Sequence, residues 1–306
     1  MIIKQKTNWF SMLFEWDGSV LPKLIPRLTI LFLYTIAIVY FRNYLSDYQL
    51  YVNPSIFTLF GIALAIFLGF RNTVSYDRFW EGRKLWGALL NDTRSLARQS
   101  HTLIDGTDYA EQRTHFIQML KAVVHALKHQ LRETNPDYDM QRLLANSYNQ
   151  QLQTAVFKPI IILKELGLWI NRAKQDGKLD SITQVAFDEN LNKLSDIIGG
   201  CERIASTPIP YTYSVLLHRT VYLYCFLLPF GFGESMLWTL PFIIVFIAYT
   251  FVALEAIADE LEDPFGIEPN DLALNAMSEM IENTLAELDN QYIETAKIDK
   301  GYYYIT

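Results

Sequence analysis

Two histidines, an ionisable pair in an apolar run, a cluster of carboxylates and one line of bulky apolar residues are the features that could do chemistry. His125 and His129 stand one helical turn apart, the i, i+4 spacing at which two imidazoles can share a metal. Ala126, Leu127 and Lys128 lie between them, so the general base of an H-E-x-x-H hydrolase is missing. The pair reads as a packed or solvated helix face. No G-x-S-x-G, phosphate-loop or dinucleotide-binding glycine pattern occurs. The two cysteines, Cys201 and Cys225, make neither a CxxC motif nor a disulfide framework. The expectation is no enzyme, no cofactor and no metal site.

His218-Arg219 falls inside an apolar stretch. Ionisable residues there are functional by default, but this pair lies near a membrane interface and is expected to snorkel or to pair with Glu255 or Asp259. Asp259, Glu260, Glu262 and Asp263 form an acidic cluster just beyond the last apolar run. Such a cluster could bind Ca²⁺, draw cations to a pore mouth or simply end a helix in water. Its spacing does not match an EF-hand.

Ile62, Ile66 and Phe70 repeat at helical spacing in an apolar run from Ile56 to Phe70. Gly61, Ala65 and Gly69 make a small-residue groove beside them, where another helix can approach. Two readings of the bulky ridge stand open. It is either lipid-facing or core surface, or it lines a pore shared by several copies of the chain and gates by dewetting.

These residues need elements to position them. The chain has 306 residues, a mean hydropathy of +0.10 and a hydrophobic share of 51%. That balance fits a membrane protein with a large water-soluble part. The net charge of −7 argues against nucleic acid as a partner. No leader with an apolar core and small-residue cleavage site is read at the N-terminus.

The apolar runs predict membrane helices over 24–41, 55–70, 211–232 and 235–258. At ~1.5 Å per residue the second falls slightly short of a ~30 Å hydrocarbon slab, and it passes into charged sequence at Arg71 without a helix breaker. Helices are expected near 72–102, 110–132, 139–152, 155–174, 182–199 and 272–289, with GGCERIASTPIP at 199–210 as a linker and the C-terminal tail uncapped. No strand pattern persists over 71–210. The expected organisation is an interfacial segment over 1–23, membrane helices over 24–70, a cytoplasmic helical region over 71–210, membrane helices over 211–258, and an acidic exit, helix and tail over 259–306. Lys4, Lys6, Lys23 and Arg27, together with Arg71, Arg78, Arg83 and Lys84, place both termini and the middle region in the cytoplasm.

Four motifs resemble the bestrophin family in its bacterial branch: Trp16-x-Gly18-Ser19, Arg78-Phe79-Trp80, Ile209-Pro210-x-x-Tyr213 and Asp263-Pro264-Phe265-Gly266. They occur in order over nearly the whole chain. The resemblance implies an all-α membrane protein, four transmembrane helices continuing into a cytoplasmic helical bundle, assembled as a homopentameric ring in a bacterial inner membrane. It implies a central pore with Ile62, Ile66 and Phe70 as a hydrophobic neck, and a second apolar constriction at the cytoplasmic exit, for which Ile182 is the matching residue. Eukaryotic relatives are Ca²⁺-activated anion channels with an acidic run directly after the Pro-Phe-Gly. Here that run reads Ile267-Glu268-Pro269-Asn270-Asp271, with two carboxylates, so currents independent of micromolar Ca²⁺ are expected. Bacterial relatives resemble monovalent-cation channels, so Na⁺ is the expected permeant ion. The alternatives are an anion channel of the same architecture and a non-conducting scaffold or carrier. A carrier would more often show internal repeats and helices broken at midplane.

Overall fold

The structure, a computed structural model, describes residues 2–3, 9–12, 14, 16, 18–41, 53–104, 106–144, 150–232, 238–291 and 303–304. Its helices are α1 (Trp9–Met12), α2 (Leu21–Tyr40), α3 (Pro54–Thr102), α4 (Ala110–Leu131), α5 (Asp137–Leu144), α6 (Gln150–Thr154), α7 (Lys158–Gln175), α8 (Ser181–Ser206), α9 (Tyr211–Leu227), α10 (Leu240–Glu262) and α11 (Leu274–Leu288). Single 3₁₀ turns follow α3, at Thr107–Tyr109, and α9, at Leu228–Gly231. One antiparallel ladder, β1 (Ile2–Ile3) on β2 (Tyr303–Tyr304), pairs Ile2 with Tyr304 and Ile3 with Tyr303. This ladder ties residues 303–304 of the tail, expected to be uncapped, to residues 2–3. Residues 42–52, 233–237 and 292–302, where the first hairpin, the start of the fourth span and most of the tail were expected, lie outside the described residues.

The chain divides into two compact units. The span unit comprises residues 5–79 and 208–263; the α4 unit comprises 1–4, 80–207 and 264–306. The helix α3 is continuous over 49 residues and contributes to both. No proline interrupts it, so the polar stretch after Phe70 stays helical.

In the span unit, α2 and α9 pack on α10. Leu24, Leu64, Leu68, Leu217, Val221, Ala248 and Val252 form its core. Among the described residues, four helices are long and apolar enough to cross a membrane: α2, α3, α9 with its 3₁₀ turn, and α10. The third ends earlier as an α-helix than expected. Pro229 lacks the N–H that an α-helix would need there and closes the segment as a 3₁₀ turn. The fourth runs further than expected, carrying Asp259, Glu260 and Glu262 in its last turn.

In the α4 unit, α4 is the central helix, with α5, α7, α8 and α11 packed around it. Phe116 to Lys128 is almost continuously buried, Lys121, His125 and Lys128 included. A helix buried all round is a core helix, and its polar members must then find partners. The helix expected over 139–152 is two helices, α5 and α6, with 145–149 outside the described residues. The linker expected from Gly199 is instead the last two turns of α8. A Cβ on Gly200 would lie 3.0 Å from Leu85, so this glycine marks close packing rather than a break in the helix.

A candidate pore-lining ridge and the carboxylates beside it

The ridge is built by one helix with two solvation regimes. Ile62, Ile66 and Phe70 of α3 are 56%, 53% and 63% exposed, while Leu64 and Leu68 are 2% and 0% exposed in the core of the span unit. Steps of 100° put Leu64 and Leu68 on the face opposite the ridge. Of the small-residue line, Gly61 is approached by a side chain: a Cβ there would meet the Tyr224 hydroxyl at 2.9 Å. Gly69 meets nothing within 4 Å.

Directly after Phe70, Arg71 is 2% exposed. Its guanidinium donates to the Asp259 carboxylate and lies 3.6 Å from Glu262 Oε2. Glu262 in turn accepts from the Ile209 N–H at 2.9 Å through Oε1, and its carbonyl accepts from Arg78 Nε at 3.1 Å. Asn72 Nδ2 donates to the Leu254 carbonyl at 3.0 Å, and Lys23 Nζ to Glu260 Oε1 at 3.0 Å. Carboxylates at a helix C-terminus oppose the helix dipole. Here Arg71, Arg78 and Lys23 offset that, and Arg78 also satisfies the orphan carbonyl of Glu262. The acidic cluster is therefore partly consumed as an anchor; Asp259 stays 60% exposed even so, and Asp263 is exposed.

The four motifs act as local fasteners. Gly18 has φ of +76°, a conformation that glycine adopts without strain, and Ser19 Oγ accepts from the Leu21 N–H at 3.1 Å where α2 begins. Arg78 and Ile209 both hold Glu262, and the Tyr213 hydroxyl donates to the Phe67 carbonyl at 3.2 Å. In the α4 unit, Phe265 is buried against the bare backbone of Gly82, and Arg132 Nε donates to its carbonyl at 3.2 Å. Burial pulls the Arg132 pKa below its ordinary value. Asp271, from the reduced acidic run, is buried and accepts the Glu268 N–H at 2.7 Å.

Ile182 sits in the first turn of α8 and is 83% exposed. Asp180 caps that helix, accepting from the N–H groups of Ile182 at 2.8 Å and Thr183 at 2.7 Å. Those bonds, with one from the Thr183 hydroxyl, hold the Asp180 carboxyl below its usual pKa.

His218 pairs with Glu255, Nδ1 to Oε1 at 2.8 Å, and its ring lies 4.5 Å from that of Tyr222. His125 and His129 converge on a carboxylate rather than on space for a metal. Asp139 Oδ2 faces His125 Nδ1 at 3.1 Å, His129 Nε2 at 2.9 Å and Lys128 Nζ at 3.1 Å, and its Oδ1 accepts from Arg142 at 3.2 Å. Glu282 of α11 closes the network, 2.8 Å from His125 Nε2 and bonded to Arg142. Despite burial, these partners hold the Asp139 carboxyl well below the carboxylate range and pull Glu282 to about 2. Burial lowers the His129 pKa below its ordinary value, although the Asp139 contact acts the other way. Sequence reasoning misses Asp139 and Glu282. The available signal is that Lys121, His125 and Lys128 share a stretch, Phe116 to Lys128, whose other members are apolar except for Gln118.

Comparison with known proteins places this arrangement. A sequence profile described as Bacterial/Fungal Bestrophin protein matches residues 1–287. The chain is 47% identical over 288 residues to "Voltage-dependent anion channel-forming protein RSc3414" of Ralstonia nicotianae, covering 94% of each chain. It is 38% identical to "Voltage-dependent anion channel-forming protein YneE" of Escherichia coli K12, over 99% of each. Among solved structures it resembles a bacterial bestrophin homolog from Klebsiella pneumoniae, with TM-score 0.84, 40% identity, and coverage of 88% of this chain and 100% of that one. Sequence profile, relatives and fold agree: the chain belongs to the bestrophin family in its bacterial and fungal branch, a family of ion channels and not of enzymes.

Proposed function

We propose that the chain is the subunit of a pentameric channel whose central pore is constricted by rings of Ile62, Ile66 and Phe70, with Ile182 contributing a second apolar constriction at the cytoplasmic exit. One observation carries this reading. A line of large apolar residues stays exposed on α3 while the opposite line is fully packed. In a ring of equal helices each such residue adds one apolar side chain per subunit to a layer. A narrow apolar layer holds water poorly, and an ion crossing it sheds hydration with no polar ligand in exchange. Both termini and the middle region lie in the cytoplasm of a bacterial inner membrane in this reading.

Monovalent cations, Na⁺ first, are the preferred ions in this proposal, because Asp259 and Asp263 remain exposed and repeat in every subunit. The second reading, an anion channel, is favoured by the names of the relatives and by the pairing of Asp259 and Glu262 with Arg71. Reversal potentials of the purified protein in planar bilayers under a NaCl gradient separate the two. A potential that follows Na⁺ supports the first, one that follows Cl⁻ supports the second, and absence of current from a folded preparation removes both. Native mass spectrometry in mild detergent tests the ring, which monomers alone would rule out.

A further inference from the structure

The span unit carries an open cavity of about 560 Å³ lined by α2, α9 and α10. Its two ends differ in chemistry. At one end Tyr34 and Phe226 stack with ring centroids 4.5 Å apart, and the Tyr34 hydroxyl donates to the Phe226 carbonyl at 3.2 Å. Leu31 and Val252 line it, leaving an apolar trough about 10 Å long between positions 27 and 34 of α2. At the other end Arg27 donates through Nη1 to the Tyr222 hydroxyl at 2.8 Å.

Arg27 is exposed, six residues into a membrane-type helix, and among the described residues it has no carboxylate partner. Arg71 and Lys23 are held instead by carboxylates, Asp259 and Glu260 respectively. A guanidinium carries five N–H donors in a planar fork, and Tyr222 takes one of them. A cation in a membrane segment needs an anion or the headgroup region. A single fixed cation at the end of an apolar trough matches one amphiphile, with an anionic phosphate on the fork and an acyl chain in the trough.

We propose that Arg27 and this cavity form a binding site for an anionic phospholipid. The site lies within one chain and does not depend on the pore reading. Generic snorkelling of Arg27 would also favour an anionic headgroup, but retention would then not depend on the trough; in a built site it does.

The test is native mass spectrometry of the intact protein after incubation with equimolar phosphatidylglycerol and phosphatidylcholine. Wild type is expected to retain phosphatidylglycerol at least about fivefold over phosphatidylcholine, as fits a charge-assisted bidentate contact. Arg27→Gln should bring the ratio near one, and Arg27→Lys should keep part of it. Leu223→Trp, at an exposed position lining the trough, should lower retention of both lipids. Leu33→Trp, exposed on α2 but outside the cavity, should behave as wild type. Size-exclusion profiles confirm that each variant is folded. Equal retention of the two lipids by wild type, or an unchanged preference in Arg27→Gln, overturns the proposal. So does full occupancy in Leu223→Trp. Because the readout is bound lipid and not current, its failure is distinct from failure of the channel reading.

Discussion

The two halves of α3 obey the same 3.6-residue period and end in opposite environments. In the first half the packed line, Leu64 and Leu68, is narrow, and Ile62, Ile66 and Phe70 stay uncovered. In the second half Trp86, Leu89, Leu96 and Ala97 are fully buried, and even the hydroxyls of Thr93 and Ser100 are internal, bonded at 2.7 Å to the carbonyls of Leu89 and Ala97. The contrast teaches that periodicity identifies a line of residues but not what covers it. In the second half the chain covers the line itself. In the first half something else must: lipid, a neighbouring subunit or the dewetted space of a pore.

The contrast can be broken or sharpened by mutation. The largest effect is expected in the second half: Trp86→Ala should cost about 4 kcal/mol, since no other residue can fill the space, read as a fall in the thermal unfolding midpoint. A stability near wild type would mean that this half is not a core.

Next comes the network on the central helix. Asp139→Ala removes the acceptor shared by His125, Lys128 and His129 and should cost about 3 kcal/mol, because it leaves the Lys128 ammonium uncompensated inside the unit. An unchanged midpoint would demote the network to a solvated surface.

On the ridge the expected signature is inverted. Ile66→Ala should change stability by less than about 0.5 kcal/mol, as exposed positions do, yet raise single-channel conductance or open time. Ile62→Ala and Phe70→Ala should act in the same direction, while Leu64→Ala should lower folding yield instead. Unchanged currents in all three ridge variants, with a large effect at Leu64, would put the wrong face of α3 on the pore.

A smaller effect is set by pH. Asp139 and Glu282 have lowered pKa values in the fold, so their stabilisation is present above the ordinary carboxylate range, about 4, and is lost as pH falls below it. His129 is also lowered, so its protonation disfavours the fold as pH falls below its ordinary value of about 6.5. Both act in one direction. The unfolding midpoint should drop gently from pH 7 to 5 and more steeply below about 4. Asp139→Asn should flatten the steeper part; a midpoint that rises on acidification would contradict the assignment.

Much of the fold is legible in the amino-acid sequence. Four long apolar runs are four long apolar helices, because a stretch of some twenty apolar residues has few other solutions. The continuity of α3 past Phe70 follows from the absence of a breaker, and Glu255, the partner of His218, is one of the two carboxylates that its position suggests. Ile62, Ile66 and Phe70 can be read as one line of one helix, although their place in a pore rests on the proposal. Other features are not legible. Gly199-Gly200 reads locally as a break but is helical, and Gly200 leaves space that Leu85 fills. Asp259, Glu260, Glu262 and Asp263 read as a Ca²⁺ ligand set, a pore-mouth field or a solvated helix end, and in the fold they are partly spent on Arg71 and Lys23.

The sequence by itself determined which residues lie on one helical face and where helices can start or must stop, since spacing, glycine and proline act within a few residues of chain. Only the tertiary structure decided which carboxylates meet which cations, as with His125 and Glu282, 157 positions apart. It also decided which apolar line is packed and which is left bare. Those outcomes depend on contacts between distant segments, and a charge or a methyl group carries no mark in the sequence of the partner it will meet.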